Sequence, residues 1–249
     1  MTFNFLYIEK NVKYLSEKKQ QNSAVYLAVR KKENRVLQDG EVIKLPNVSY
    51  NEWPIRKKSS ERFMKYLFSK TIPQNILDLG CGNGWFSNQM ALVSDKNFII
   101  ALDINSFELE QASRVFKEKN LEFVYGDIFA IQDSFHEKFD IITLNGVIQY
   151  FPDFSALLNA LLIILKPKGE IHIIDSPFYT KAEVINAKKR TKKYYSSIGF
   201  PEMAANYFHH DLQNTNNFKT LYKPKNSIIN KIFNINDSPF HWVSFIKKD

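Results

Sequence analysis

Residues 78–84 read Asp78-Leu79-Gly80-Cys81-Gly82-Asn83-Gly84, between the apolar run Asn75-Ile76-Leu77 and the segment that opens with Trp85-Phe86-Ser87. Three glycines at alternate positions, between a strand-like run and a helix-like one, mark a turn that uses positive φ. Such a turn lets the backbone approach a ligand at a helix N-terminus. A nucleotide-type ligand is the natural occupant. Spacing excludes two of the common loops. The third glycine of a dinucleotide fingerprint, Gly-x-Gly-x-x-Gly, would fall at Trp85 counting from Gly80 and at Ser87 counting from Gly82. A phosphate loop needs Lys followed by Ser or Thr, where this chain has Asn83-Gly84-Trp85-Phe86.

Outward from the loop, Gln74 to Asp175 alternates short β-branched runs with amphipathic segments, the pattern of βαβ units around a parallel sheet. Strands are expected at Asn75–Leu79, Phe98–Asp103, Leu121–Tyr125, Asp140–Asn145 and Glu170–Asp175, with helices at Trp85–Val93, Ser106–Lys119 and Phe154–Leu165. Ser106 suits an N-cap, with Glu108 and Glu110 favoured near the positive end of the helix dipole. Lys166-Pro167-Lys168-Gly169 supplies the stop for the third helix.

Before this core, Ile8–Gln21 reads as a basic helix, and Asp39-Gly40 between alternating apolar residues reads as a hairpin turn. After it, Lys181–Tyr195 reads as a basic helix, Gly199–Asp211 as aromatic and irregular, and His241–Lys247 as a last strand. The domain expectation is therefore an N-terminal helical and hairpin arm, 1–73, packed on a core domain, 74–249, with a lid insertion at about 178–237.

The chain has 249 residues, 44% of them apolar and 24% charged, which is a globular composition with room for one α/β core. The single cysteine, Cys81, excludes an intramolecular disulfide and a multi-cysteine metal site, and suits a reducing compartment, the cytoplasm. No leader pattern opens the sequence. The longest apolar stretch, within Ala156–Leu165, is about half the roughly 20 residues of a membrane span, so no membrane partner is expected. Charge is segmented: residues 1–74 carry 15 basic and 7 acidic side chains, 75–177 carry 7 and 14, and 178–249 carry 12 and 5. Basic arms around an acidic middle fit either solvated faces or an anionic partner.

With these residues in view, the chain resembles class I S-adenosylmethionine-dependent methyltransferases, from Gln74 to about Asp175. The loop matches the family's acidic-x-Gly-x-Gly-x-Gly motif at Asp78, Gly80, Gly82 and Gly84, with Cys81 at a position where a small residue is common. The resemblance implies that Asp78 lies near the methionine end of S-adenosyl-L-methionine. It implies that Asp103, beside Ile104, accepts from the ribose hydroxyls and that Asp127, beside Ile128, accepts from the adenine amino group. Leu102 and Phe129 join Ile104 and Ile128 as apolar walls for the adenine. The stretch Asp140–Asp153, which includes Asn145, resembles the fourth-strand motif of small-molecule members, and Leu165–His172 the turn into their fifth strand. The implied fold is Rossmann-like α/β, a mostly parallel seven-stranded sheet with helices on both faces and an antiparallel last strand.

The implied reaction is methyl transfer to an oxygen, nitrogen or carbon nucleophile of a small-molecule acceptor, with S-adenosyl-L-homocysteine as product. Asn145 is followed by Gly146-Val147-Ile148 rather than Pro-Pro-aromatic, unlike enzymes that methylate base amino groups. Candidate acceptor contacts are Trp53, Arg56, Tyr150, Tyr195 and His209, suiting an anionic or aromatic molecule. His209 or His210 is the candidate base. A small secondary core beneath the lid is the favoured reading of the lid aromatics, and the paired histidines lack the further ligands of a metal site, so no metal is expected. An RNA methyltransferase using the basic arms, and a cofactor-binding module without turnover, are the competing readings.

Overall fold

A computed structural model describes residues 4–18, 21–224 and 237–249. The arm opens with strands β1 (Tyr7–Glu9) and β2 (Val12–Tyr14), then helices α1 (Gln21–Lys32), α2 (Asp39–Val42) and α3 (Trp53–Phe68). The core alternates β3 (Asn75–Leu79), α4 (Trp85–Val93), β4 (Phe98–Asp103), α5 (Ser106–Val115), β5 (Leu121–Tyr125), the single turn α6 (Ile128–Ile131), β6 (Phe139–Asn145), α7 (Phe154–Ile164) and β7 (Leu165–Ile174). The remainder supplies β8 (Phe178–Tyr179), α8 (Lys181–Ser197), β9 (His210–Asp211), β10 (Lys219–Tyr222) and β11 (Trp242–Ile246).

The main sheet runs β1-β2-β5-β4-β3-β6-β7-β11-β10. It is parallel from β2 to β7, with β11 antiparallel to β7 and the outermost strands β1 and β10 antiparallel to their neighbours. β3 lies at the centre, and the order reverses there: the chain builds β4 and β5 on one side, then β6 and β7 on the other. A crevice opens at that switch point, outside the carboxyl ends of the strands. Central strands are apolar along their whole length because both faces are covered. Ile76 of β3 packs with Phe63, Phe86, Met90 and Ile99 on one face, while its neighbour Leu77 packs with Ile100, Ile142, Leu144 and Ile164 on the other.

The Rossmann-like class agrees with the sequence reading, but among the described residues the seven expected strands become nine in the main sheet, with β8 and β9 forming a separate parallel pair. The expected helix Ile8–Gln21 is instead a hairpin. Lys10 and Asn11 both take positive φ, 48° and 62°, as a tight β turn requires, and Tyr14 stacks on Tyr125 at 5.0 Å once β2 pairs with β5. The expected hairpin at Asp39-Gly40 is the helical turn α2. The Glu41 carboxylate accepts from the Gln38 backbone N–H at 2.8 Å, and Asp39 is held by Gln111 and Arg114 of α5.

The N-cap of α5 is Asn105 rather than Ser106, its side chain accepting from Glu108 N. That helix ends at Val115 instead of Lys119, where Phe116 turns extended and buries its ring. The Lys166–Gly169 segment does not separate α7 from the next strand; it belongs to β7, which starts at Leu165. Arm and core share one apolar cluster, in which Trp53 and Phe63 of α3 meet Trp85 and Phe86 of α4. The part of the expected lid at 225–236 lies outside the described residues. No described helix is long and apolar enough to cross a membrane.

Candidate active site

A cavity of about 890 Å³ opens at the switch point. The glycine loop forms its floor, and each glycine has its own structural reason. Gly80, Gly82 and Gly84 all take positive φ, at 74°, 53° and 76°. A Cβ on Gly80 would meet Val147 at 2.2 Å, and one on Gly84 would meet Phe123 at 2.7 Å and Ala112 at 2.9 Å. Gly84 is therefore needed for packing α4 against the sheet and does not line the cavity, whereas Gly80, Cys81 and Gly82 do. The Cys81 thiol is buried, and that burial pushes its pKa well up, so it remains protonated.

Asp78 also lies beneath the floor. Its oxygens accept from Ser87 Oγ at 2.5 Å and Thr143 Oγ1 at 2.8 Å, tying β3 to α4 and β6. It is 1% exposed, and burial raises its pKa to about 6. The structure thus makes Asp78 a support for the loop, and it is not among the residues that line the cavity.

Asp103, at the end of β4, faces the cavity. One carboxylate oxygen accepts from Gly82 N at 2.8 Å and the other from Asn105 N at 2.8 Å, so β4 fixes the loop directly. Burial raises its pKa although those backbone N–H groups favour the charge. Ile104 and Phe129 are 49% and 42% exposed, and both line the cavity with Ile128. Asp127 lines it too and caps α6, accepting from Phe129 N at 3.1 Å. Leu102 is buried in the core and is not a lining residue. At the end of β6, Asn145 lines the wall, with its Oδ1 sealed from solvent and accepting nothing among the described residues.

The other expected contacts divide. Trp53, Arg56 and Tyr150 line the cavity. Arg56 lies over Trp53 at 5.7 Å, near Glu52 at 3.6 Å, and burial lowers its pKa. Tyr195 does not reach the cavity. It is buried with Val29 and Met203, in a separate apolar cluster of arm and lid that also takes in Tyr207 and Phe200. His209 binds Thr191 at 2.9 Å and packs between Tyr179 and Tyr207, and His210 is 5% exposed with its Nε2 on Ile148 O at 2.8 Å. Neither histidine lines the cavity, so the structure brings neither candidate base to it.

In their place stand groups the sequence reading did not single out. Tyr26 and Arg30, one turn apart on α1, line the cavity together with Glu108, Arg35 and Met203. The i,i+4 spacing of Tyr26 and Arg30 was a legible signal for a shared face. Glu108 is read from sequence as a helix-dipole acid, but burial and the neighbouring Asp103 charge lift its pKa to about 7.

Residues 73–236, more than half of the chain, match the model of a methyltransferase domain. Malonyl-[acyl-carrier protein] O-methyltransferase of Calditerrivibrio nitroreducens is 33% identical over 118 residues, 46% of this chain and 44% of its own length. Demethylmenaquinone methyltransferase of Lactococcus lactis is 33% identical over 119 residues, 43% of this chain and 46% of its own length. The chain thus spans less than half the length of these curated relatives. An O-methyltransferase family protein from Burkholderia thailandensis has the same fold, with a TM-score of 0.57 at 11% identity over 92% of this chain and 63% of that one. A glycine loop bound to the end of the second core strand, at the switch point of the sheet, and a family match that runs from before β3 past β10 lead to one conclusion: the chain belongs to the methyltransferase-domain family.

Proposed function

We propose that the protein is an S-adenosyl-L-methionine-dependent methyltransferase acting on an oxygen, nitrogen or carbon nucleophile of a small, anionic or aromatic molecule. The observation that carries this reading is the convergence of Asp103, Asp127 and Asn145 on one cavity from the ends of β4, β5 and β6, around a loop that Asp103 itself secures. The residues fit the cofactor. Asp103 suits a ribose diol and Asp127 an adenine amino group. Ile104, Ile128 and Phe129 suit the flat faces of the base. The orphaned Oδ1 of Asn145 suits the ammonium of the methionine end.

When bound, the cofactor supplies a methyl group on a positively charged sulfur. The chain's own part is positional: aligning a nucleophile with that methyl and excluding water contributes much of the rate. Trp53, Phe151, Met203 and Phe208 supply the apolar walls for that exclusion. The malonyl-[acyl-carrier protein] and demethylmenaquinone relatives support a small-molecule acceptor. One cysteine, buried and protonated, suits our placement of the protein in the cytoplasm.

Calorimetric titration with S-adenosylmethionine and S-adenosylhomocysteine, with NAD as control and bulk tRNA as a second ligand, tests the reading. Binding of both sulfur nucleotides without NAD or tRNA binding is expected. Lack of affinity for either nucleotide would remove the assignment. Salt-dependent association with tRNA would transfer it to RNA as acceptor.

A further inference from the structure

Three arginines line the cavity, and they are not equally satisfied. Arg35 pairs with Glu52 at 3.2 Å and Glu33 at 3.7 Å. Arg56 has Glu52 beside it and the Asp175 charge behind it. Among the described residues Arg30 has one marginal ion pair, Nη1 to Glu33 Oε2 at 3.5 Å, and its Nε is sealed from solvent with no hydrogen-bond partner. A guanidinium carries five donors, and leaving them short of acceptors in a partly buried site is costly.

Two phenols adjoin Arg30, along with the carboxylates of Glu108 and Glu33. Its Cζ lies 5.4 Å over the Tyr26 ring, and Tyr150 comes edge-on to Tyr26 from the opposite wall, with ring centroids 5.6 Å apart. Burial raises the pKa of both phenols, so each keeps its O–H near neutral pH. Although burial disfavours its charge, Arg30 is held above its ordinary pKa by its surroundings, Glu108 and Glu33 among them, so it stays cationic. Phe151, Met203 and Phe208 add apolar surface to the same cavity. One cation and two hydroxyl donors in a cavity that Phe151, Met203 and Phe208 also line match a planar monoanion with an apolar body. A guanidinium fork meets a carboxylate in that geometry.

We infer that the methyl acceptor carries a carboxylate, and that Arg30, Tyr26 and Tyr150 seat it beneath α1. This deepens the methyltransferase reading and rests on it. Arg30 then determines specificity by binding the acceptor, without taking part in bond making.

The test is titration of the full chain, saturated with S-adenosylhomocysteine, with benzoate, phenylacetate and cyclohexanecarboxylate, each beside its primary amide. The carboxylates are expected to bind about tenfold or more tighter than the amides, the scale of one charge-assisted pair. Arg30→Gln should remove that preference while S-adenosylhomocysteine affinity stays within about twofold, and Arg30→Lys should restore part of it. Should Arg30→Gln fail to fold by circular dichroism, Tyr26→Phe and Tyr150→Phe serve instead, each expected to weaken carboxylate binding severalfold. Equal binding of carboxylates and amides, or no carboxylate binding, overturns the inference. So does a loss of S-adenosylhomocysteine affinity in Arg30→Gln as large as the loss for carboxylates, which would assign the guanidinium to the cofactor. Failure of the underlying reading is visible separately, as absence of S-adenosylhomocysteine binding by the unmodified protein.

Discussion

At Asp103 one carboxylate both holds the glycine loop and faces the cavity. Removing it strands the N–H groups of Gly82 and Asn105. Asp103→Ala is therefore expected to weaken S-adenosylhomocysteine binding by about 1–3 kcal/mol, the cost of orphaned buried hydrogen-bonding groups; unchanged affinity by calorimetry would contradict the assignment. Glu108 carries a pH signature. Its folded pKa of about 7 lies above the ordinary carboxylate value of 4.5, so the folded chain keeps a proton that the unfolded chain releases. That contribution is complete below about 4.5 and is lost as pH rises through about 7. Stability of the ligand-free protein should fall across this window by an amount on the order of 2 kcal/mol, and Glu108→Gln should flatten the slope. Thermal melts at matched pH values decide; parallel slopes in the two proteins would rule Glu108 out. Sequence spacing placed Asp103, Asp127 and Asn145 at the ends of strands, where they line the cavity. It could not separate cavity-facing Tyr150 from core-facing Tyr195, because that depends on which surface α1 and the lid offer each ring.

Among the elements, the joint between β7 and β11 is polar inside. Trp242 Nε1 donates to His172 Nδ1 at 3.2 Å, leaving His172 Nε2 to donate to Glu170 at 3.0 Å, while Tyr66 of α3 and Lys70 just beyond that helix donate to the same carboxylate. Burial opposes the charge on Glu170, but His172, Lys70 and Tyr66 together hold its pKa down to about 2. Its stabilisation is full above the ordinary 4.5 and lost as pH falls toward 2. Glu170→Gln should lower the melting temperature at pH 7 and shrink the acid-induced loss, by something on the order of 2 kcal/mol. A variant that acid-melts like the parent would show the network to be idle. The central strands were legible because their apolar runs are long and covered on both faces. The three-residue strands β1 and β2, and the four-residue β10, carry too little pattern of their own and exist through pairing with β5 and β11.

In the whole molecule, the roof over the cavity belongs to a separate apolar cluster. Val29, Tyr195 and Met203 bind α1 to α8 and the Pro201–Asn206 turn, apart from the two clusters that flank the sheet. A small satellite core opens at lower free energy than the main one. Amides of α1 and α8 should therefore exchange with solvent faster than those of β3, β4 and β6, and Met203→Ala should speed exchange in the roof while leaving the sheet protected. Uniform exchange across roof and sheet would show that the two open together.

The sheet ends in strands of three and four residues, β1 and β10. An outermost strand offers a row of unsatisfied backbone groups, an invitation to further strands from other copies of the chain. Here the row is short and charged: Glu9 is bridged to Lys18 at 2.6 Å on one margin, and Lys219 stands on the other. The same brevity that hides these strands from a reading of the sequence guards the folded protein against growth into filaments.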